Sequence, residues 1–419
     1  MNKIEFYKET NFKETPIGKI PREWEIVRAS EVAEYINGYP FGPEDWKTKG
    51  IPIIRIQNLN DPDAEFNYFD GEIDEIYKVR NGDLLFSWSG SIGVYLWNRG
   101  DAVLNQHIFK VIPKPNVDKF FLYYALFLAI EQLKMRTHGS TMKHFRRGEL
   151  RSTIIPFPPV EEQRAVAGVL SVVDLAIQRT DMVIAKTERL KKGLMQTLLT
   201  KGIGHKEFKD TEIGKIPKTW QIVSLKDVVV EAKSGFACGQ RDENGILQLR
   251  MDNIDPEGWI NMEAGVKVPP PPDVEDYILK PGDILFNNTN SVDLIGKTAI
   301  FRGEFPRCVY SNHITRIRVN QKKIVPEWIL YLLIRKWELG VFKAICHRHV
   351  HQAGINNEDL LRLKIPLPPI EEQQAIVSTI LANDNVLKFQ RNEKAKLERI
   401  KQGLMDLLLT GKVRVKVIK

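Results

Sequence analysis

One sequence unit is used twice in this chain. Phe12–Val32 reads FKETPIGKIPREWEIVRASEV, and Phe208–Val228 reads FKDTEIGKIPKTWQIVSLKDV. Two further pairs follow in the same order: Ile155–Val166 (IPFPPVEEQRAV) with Ile365–Ile376 (IPLPPIEEQQAI), and Glu188–Thr200 (ERLKKGLMQTLLT) with Glu398–Thr410 (ERIKQGLMDLLLT). Two like units present two like surfaces, which a pseudo-twofold axis relates if the units pair with each other. The repeat therefore predicts a partner that has two sites.

Composition limits the class of protein. The 419 residues are 43% hydrophobic, which is enough for cores in two or three globular domains. Lys and Arg total 61 against 53 Asp and Glu, and this net charge of +8 fits a polyanionic partner without proving one. Three scattered cysteines are too few for a disulfide framework. The N-terminus lacks the apolar core of a secretion signal, and the apolar stretch Phe120–Ile130 is too short to cross a bilayer, so we expect a cytoplasmic protein without a membrane segment.

Each copy begins with a globular part. In the first copy, Trp24–Pro156, short β-rich runs alternate with turn signals, and a helical run at Phe120–Met135 closes the part. The second copy repeats this plan over Trp220–Pro366, with a helical run at Val325–Glu338. The pattern predicts two similar domains that mix helices and strands, an α/β or α+β fold.

A long helix follows each globular part. Two prolines and two glutamates (PPVEE and PPIEE) mark the helix starts, because proline needs no N–H donor there and the helix dipole favours negative charge. A 4-3-4-3 stripe, mainly apolar, runs from Val166 to Leu198, and a weaker stripe with a polar middle runs from Ile376 to Leu408. A helix of roughly forty residues would be on the order of 60 Å long. We expect the two helices to pack antiparallel as a coiled-coil spacer, although an amphipathic surface helix is the alternative.

The catalytic and metal-binding signals are weak. Gly296–Thr298 spells GKT, but Ser291 stands where a phosphate-binding loop needs its first glycine. The donors in Cys346–His351 alternate along an extended segment, which favours a basic loop over a metal site. The chain has no N-P-P-[FY] methyltransferase motif and no glycine-rich cofactor loop after a strand. We therefore expect no cofactor, no metal and no catalytic residue.

The candidate DNA contacts lie in loops that both copies share. Gly82–Phe86 recurs as Gly282–Phe286, and the polar residues that follow differ between the copies. Side chains of this kind can recognise base edges, although drift of a surface loop would give the same pattern. The candidates of this group are Ser87, Trp88, Ser89, Asn287, Asn288 and Asn290.

Two further groups are candidates for DNA contact. The RIQN and RMDN segments place Arg55 and Asn58 in the first copy and Arg250 and Asn253 in the second, either as base contacts or as structural hydrogen-bonding residues. Basic residues precede the last strand of each globular part and suit phosphate contacts, although a solvated charged loop is the alternative. They are Lys143, Arg146, Arg147 and Arg348.

The ends of both helices are strongly apolar, so we expect them to dock on another surface. The candidates for partner binding are Leu194, Met195, Leu198, Leu404, Met405 and Leu408.

The motifs together resemble those of the DNA-specificity subunits of type I restriction-modification systems. The shared features are the duplicated W-x-x-V entry, the GD[LI]LF strand, the P-P-x-E-E-Q helix start and the G-L-M-x-x-L-L-T helix end. The resemblance covers essentially the whole chain. It implies two target recognition domains at 1–156 and 204–366, spacer helices at 157–203 and 367–412, and a tail at 413–419.

The resemblance also implies a function without catalysis. Each recognition domain would bind one half of a bipartite, asymmetric site in double-stranded DNA, and the helical spacer would set the gap. Two methyltransferase subunits would dock on the helices of this prokaryotic protein, and an ATP-dependent restriction subunit that translocates and cleaves DNA can join them. The alternative is a coiled-coil adaptor whose basic surface binds acidic proteins.

Overall fold

The duplicated sequence folds into two units, and each unit contains one of the repeated globular parts. Unit 1 comprises Met1–Met182 and Asn392–Lys419, and unit 2 comprises Val183–Arg391. This is a computed structural model, and it describes residues 3–136, 152–348 and 352–418. The unit boundaries fall inside the two long helices, so each unit contains a segment of both.

Unit 1 contains two four-stranded sheets. The first is wholly antiparallel, in the order Gly93–Leu96, Leu84–Ser87, Ile108–Pro113, Ala33–Asn37. The second has the order Asn67–Phe69, Ile51–Ile54, Ala102–Leu104, Lys78–Val79, and its central pair is parallel. Smaller pairings join Glu25–Arg28 to Ile154–Phe157, Phe12–Thr15 to Gly18–Pro21, and Lys3–Lys8 to Val413–Ile418.

Unit 2 repeats this plan. Its antiparallel sheet has the order Val229–Ser234, Ile314–Val319, Ile284–Asn287, Thr298–Ile300. Its second sheet has the order Val266–Val268, Ile246–Leu249, Cys308–Tyr310, with the last two strands parallel. Smaller pairings join Gln221–Ser224 to Lys364–Leu367 and Phe208–Thr211 to Gly214–Pro217, and a further sheet has the order Thr289–Asn290, Ala353–Gly354, His347–Arg348. Most pairings are antiparallel, so the fold is α+β.

The helices match the sequence-based expectations closely. The helix that closes the first globular part spans Lys119–Arg136, and its counterpart spans Pro326–Glu338. The first long helix spans Val160–Lys201 and the second spans Ile370–Leu408, each starting directly after the paired prolines. Short helices lie at Ala29–Val32, Ile56–Asn60, Val341–Ile345 and Asn357–Leu361. No helix among the described residues is long and apolar enough to cross a membrane.

The two long helices run antiparallel within each unit. In unit 1, Lys401 pairs with Asp174 at 2.7 Å and Lys394 pairs with Asp181 at 2.6 Å. Residue numbers therefore increase along one helix in the direction in which they decrease along the other. In unit 2, Lys191 pairs with Asp384 at 2.7 Å. All positions of both predicted stripes are buried or half-buried. The predicted pairing is confirmed, and the two lysines of the second stripe, Lys394 and Lys401, make ion pairs between the helices.

The helix ends lie in the cores of the units, which corrects an expectation about partner binding. Met195 is 1% exposed and packs in the core of unit 2. Met405 and Leu408 are 1% and 0% exposed and pack in the core of unit 1. These three side chains are covered by the chain itself and are not available to a partner protein. Leu194, Leu198 and Leu404 are half-buried, and Leu198 and Leu404 pack against the same cores.

The P-P-x-E-E-Q motif fastens each long helix to its globular part. The Trp24 indole donates to Glu162 Oε2 at 3.0 Å, and the Trp220 indole donates to Glu372 Oε2 at 2.9 Å. The next residue, Gln163, accepts from the Asp118 amide at 2.9 Å and donates to the Pro158 carbonyl at 2.8 Å. Gln373 makes the matching contacts in unit 2. The motif is repeated in the sequence because both copies need this anchor.

The residues after the second long helix, for which only a tail was expected, form the strand Val413–Ile418, which pairs with Lys3–Lys8. Arg414 in this strand is buried and donates to Glu162 at 2.8 and 3.0 Å. The strand therefore joins both termini of the chain to the helix anchor of unit 1. The carboxylate contacts raise the pKa of Arg414, chiefly the hydrogen bond to Glu162.

Candidate nucleic-acid interface

The Arg-x-x-Asn segments form the same loop in both units. Asn58 is 3% exposed; its Oδ1 accepts from the Arg55 amide at 3.0 Å, and its Nδ2 donates to the Ala64 and Glu65 carbonyls. Asn253 is fully buried, accepts from the Arg250 amide at 2.8 Å and donates to the Asn261 carbonyl at 2.8 Å.

These contacts support the structural role for both asparagines. Their amides are engaged inside the loop, so they are not available to base edges. The arginines of the same loops are only half-buried. Arg55 lies 4.6 Å above the Trp46 ring and donates to Asn67 Oδ1 at 2.8 Å, and Arg250 donates to the Cys238 carbonyl at 3.2 Å.

Of the six candidates after the GD[LI]LF strands, three are buried and three are half-buried. Ser87 is fully buried and donates to the Ser91 carbonyl at 2.7 Å, while Ser89 is half-buried. The half-buried Trp88 packs on His107, with ring centroids 5.4 Å apart. In unit 2, Asn288 is 7% exposed and donates to Thr315 Oγ1 at 3.0 Å and to the Asn312 carbonyl at 3.1 Å.

Asn287 differs from its neighbours because its side chain has no partner. It is fully buried, and neither amide atom has a hydrogen bond within the described part of the chain. Buried amides are nearly always hydrogen-bonded. The counterpart Ser87 is satisfied by its own loop, so the copies differ here in hydrogen bonding as well as in residue type.

The structure brings two of the unit 2 candidates together. Asn290 pairs with Ala353, and Ala353 pairs on its other side with Arg348, so one small sheet carries both candidates. Asn290 is half-buried and Arg348 is exposed. An exposed arginine and a partly accessible amide on the two outer strands of one small sheet suit a phosphate or base contact. Lys143, Arg146 and Arg147 lie outside the described residues.

The GKT and histidine segments have no geometry for phosphate or metal binding among the described residues. Lys297 is 9% exposed and donates to the Ile254 carbonyl at 2.8 Å, and burial lowers its pKa. Thr298 begins a strand, whereas a phosphate-binding loop leads into a helix. His347 contacts Asp359 at 2.8 Å, while His349 and His351 lie outside the described residues.

Sequence reasoning missed a set of exposed apolar side chains on the long helices. They lie on a face of each helix away from the helix pairing stripe. The signal was present, since apolar residues recur three and seven positions apart on a second face. The set, called here the outer apolar residues, is Val172, Leu175, Met182, Val183 and Leu190 on the first helix and Val386, Phe389, Ile400 and Leu407 on the second.

The structure defines a class of protein with duplicated α+β domains and two long antiparallel helices. The sequence matches the family model for the Type I restriction modification DNA specificity domain at residues 21–187 and 217–399. The chain therefore belongs to this family, and the family assignment made from the motifs is confirmed.

Known relatives are similar to this chain over nearly the full length of both sequences. The specificity subunit of the type I restriction enzyme MjaVIII from Methanocaldococcus jannaschii is 33% identical, covering 99% of this chain and 98% of the relative. The putative MjaX specificity subunit of the same organism is 31% identical over 99% of each. The crystal structure of a type I restriction-modification S subunit from M. genitalium matches the fold with a TM-score of 0.61, at 15% identity, over 92% of this chain and 96% of that one.

Proposed function

We propose that this specificity subunit recognises a bipartite, asymmetric DNA site, with one half-site bound by each unit. The supporting observation is that both units build the same loops on the same strand frame and place different polar side chains in them. A shared frame gives both units the same mode of docking, and different side chains give different base preferences. The proposed recognition domains span 1–156 and 204–366. The proposed spacer helices span 157–203 and 367–412, and the terminal segment spans 413–419.

The proposed DNA contacts divide by accessibility. The accessible candidates suit direct contact, whereas the buried ones support the loops. The accessible candidates are Arg55, Trp88, Ser89, Arg250, Asn290 and Arg348. Lys143, Arg146 and Arg147, which lie outside the described residues, remain candidates for phosphate contact on the sequence alone. The supporting residues are Asn58, Ser87, Asn253 and Asn288.

In this proposal, adenine methylation and DNA cleavage belong to partner subunits. Two methyltransferase subunits dock on the long helices, and restriction subunits join the same complex. The outer apolar residues support the docking, because apolar side chains that remain exposed on a helix are typical of a protein interface. Leu175 and Met182, with 46% and 55% exposure, are examples. The place of action is the cytoplasm of a prokaryotic cell.

Mapping of methylated adenines tests the proposal. The chain is expressed with its methyltransferase subunits in a host that lacks other adenine methylation, and the genome is sequenced with a method that detects the modified base. We expect two short motifs at a fixed separation, with one methylated adenine in each. A single continuous motif, or methylation that persists without this chain, contradicts the proposal.

The alternative function is a protein-binding adaptor, which the outer apolar residues also favour. Binding of labelled DNA in rising salt separates the two functions. Phosphate contacts weaken steeply with ionic strength, while specific binding survives competitor DNA. An adaptor would bind DNA weakly and without sequence preference.

A further inference from the structure

We propose that base recognition is centred on two adjacent loops in each unit, which include a turn that sequence reasoning did not select. In unit 1 the loops are residues 55–57 and 105–107, and in unit 2 they are residues 250–252 and 311–313. The ligand is the edge of a base pair in double-stranded DNA. This inference rests on the proposed function and names the residues that would give each unit its specificity.

The sheet topology brings the two loops together. In unit 1, Ile51–Ile54 and Ala102–Leu104 are parallel neighbours, so both strands end at the same edge of the sheet. The Asn105 amide donates to the Ile54 carbonyl at 3.1 Å across this edge. Ligand sites commonly lie beyond the carboxyl ends of parallel strands. The position of the loops is therefore that of a binding site.

Unit 2 has the same arrangement. Its parallel pair is Ile246–Leu249 with Cys308–Tyr310, and the Ser311 amide donates to the Leu249 carbonyl at 2.9 Å. The turns that follow read NQHI at Asn105–Ile108 and SNHI at Ser311–Ile314. Both turns are held by the histidine carbonyl, which accepts a backbone amide from the residue at position 88 or 288.

A cavity lies between the two loops of unit 1. It has a volume of about 240 Å³, with Phe41 and Trp46 as aromatic walls and Arg55, Gln57 and Asn105 among its polar lining residues. Guanidinium and amide groups bind the edge of a base pair in a groove of the duplex. The polar lining of the cavity has the chemistry that the edge of a base pair requires.

Several polar groups at this cavity have no partner within the described residues. Asn105 is 7% exposed and its side chain makes no hydrogen bond there. Gln106 Oε1 and His107 Nδ1 are buried and also lack partners. Unpaired buried groups are rare in folded proteins and call for a ligand or ordered water. Three adjacent residues with free hydrogen-bonding capacity are what base recognition needs.

Comparison of the two copies distinguishes the loop residues that are identical in both units from those that differ and could give each unit its own specificity. The arginine and asparagine of the first loop and the His-Ile of the second are identical in both units. The positions between them differ. Gln57 in unit 1 corresponds to Asp252 in unit 2, and both are exposed, whereas the half-buried Gln106 corresponds to the exposed Asn312. Gln favours adenine, whereas Asp accepts a hydrogen bond from cytosine. The structure assigns the difference in specificity to these positions.

Methylation mapping of variants tests the inference. The full chain is expressed with its methyltransferase subunits, carrying Gln106→Ala or Gln57→Ala in unit 1, or Asn312→Ala in unit 2. We expect the unit 1 variants to relax one or two base positions of one half-site, with discrimination reduced by roughly 10-fold to 100-fold. The other half-site should remain unchanged. Asn312→Ala should relax the half-site that the unit 1 variants leave unchanged, and it should leave the other half-site intact.

The matched control is Asn98→Ala, an exposed amide that precedes the strand Ala102–Leu104 at its other end. It should leave both half-sites unchanged. Gln57 is exposed, so its variant remains decisive even if Gln106→Ala lowers stability. The inference is overturned if wild-type methylation is bipartite and the Gln57 and Asn312 variants keep full discrimination, or if both half-sites relax together. Absence of a bipartite motif in the wild type would instead refute the proposed function.

Discussion

At the scale of single residues, Glu162 has the contacts whose loss should matter most for stability. It is 7% exposed, accepts the Trp24 indole and pairs with Arg414. Glu162→Gln leaves the buried guanidinium opposite a neutral amide. Breaking a buried pair costs about 3–5 kcal/mol, and we expect the low end, about 3 kcal/mol, because Glu9 and Glu23 still contact Arg414.

Urea denaturation followed by tryptophan fluorescence measures this loss. The control is Glu161→Gln, which changes the adjacent, exposed carboxylate and should alter the free energy of unfolding by about 0.5 kcal/mol or less. Equal stability of the two variants would mean that the anchor of unit 1 does not depend on this charge.

Roles of individual residues were only partly predictable from the sequence. Repetition selected Asn58 and Asn253, but a residue that holds a loop repeats as faithfully as one that contacts DNA. Ser87 and Met195 were selected for polarity and apolarity, and both are buried. Burial depends on neighbours far away in the chain, which a local pattern does not contain. The turn at Asn105–Ile108 is also repeated in the sequence. Only the fold shows that it adjoins the Arg55 loop.

At the scale of elements, the buried ion pair between the long helices in unit 2 should be worth more than its surface counterpart in unit 1. Asp384 is 3% exposed, pairs with Lys191 and accepts from the Tyr331 hydroxyl at 2.9 Å. Asp384→Asn should therefore lower the free energy of unfolding by about 3 kcal/mol. Asp181→Asn, which breaks the half-exposed pair with Lys394, should cost less than about 1 kcal/mol.

Thermal melts at low and high salt check this difference. Salt should remove most of the small Asp181→Asn effect, because exposed pairs are screened, and should leave the Asp384→Asn effect largely in place. A larger effect at Asp181 would contradict the burial argument.

The long helices were the elements best predicted from the sequence. Pro158 and Pro159 fixed the start of the first helix, and the 4-3-4-3 stripe fixed the face that packs on the second helix, because both signals are local. The destination of the apolar helix ends was not predictable in this way. An apolar turn must be covered, but the pattern does not say whether a partner or the chain's own core covers it.

At the scale of the whole molecule, each recognition domain should be exchangeable. The segment Trp24–Pro156 enters and leaves through one strand pair, since Ile26 pairs with Pro156. Its exchange for the matching segment of a relative should therefore keep the junctions adjacent and replace one half-site of the methylated motif. Methylation mapping reports the result. A change in both half-sites would show that the two domains do not recognise DNA independently.

The gap between half-sites should follow the length of the helix pair. The unit boundaries lie at Met182–Val183 in the first helix and at Arg391–Asn392 in the second, and the ion pairs within each unit lie on either side of them. Four residues inserted at both boundaries preserve every one of these pairs. They lengthen the helices by about 6 Å, which is close to two base pairs at about 3.4 Å each.

We therefore expect the double insertion to lengthen the recognised gap by about two base pairs while both half-sites stay the same, as methylation mapping would show. The matched control places the four residues in the first helix alone. That change shifts Asp181 and Lys191 relative to each other but leaves the second helix unchanged, so the helix pairing cannot be kept in both units at once. It should lower stability more than the double insertion does. An unchanged gap in a stable double-insertion variant would refute the role of the helices as the determinant of spacing.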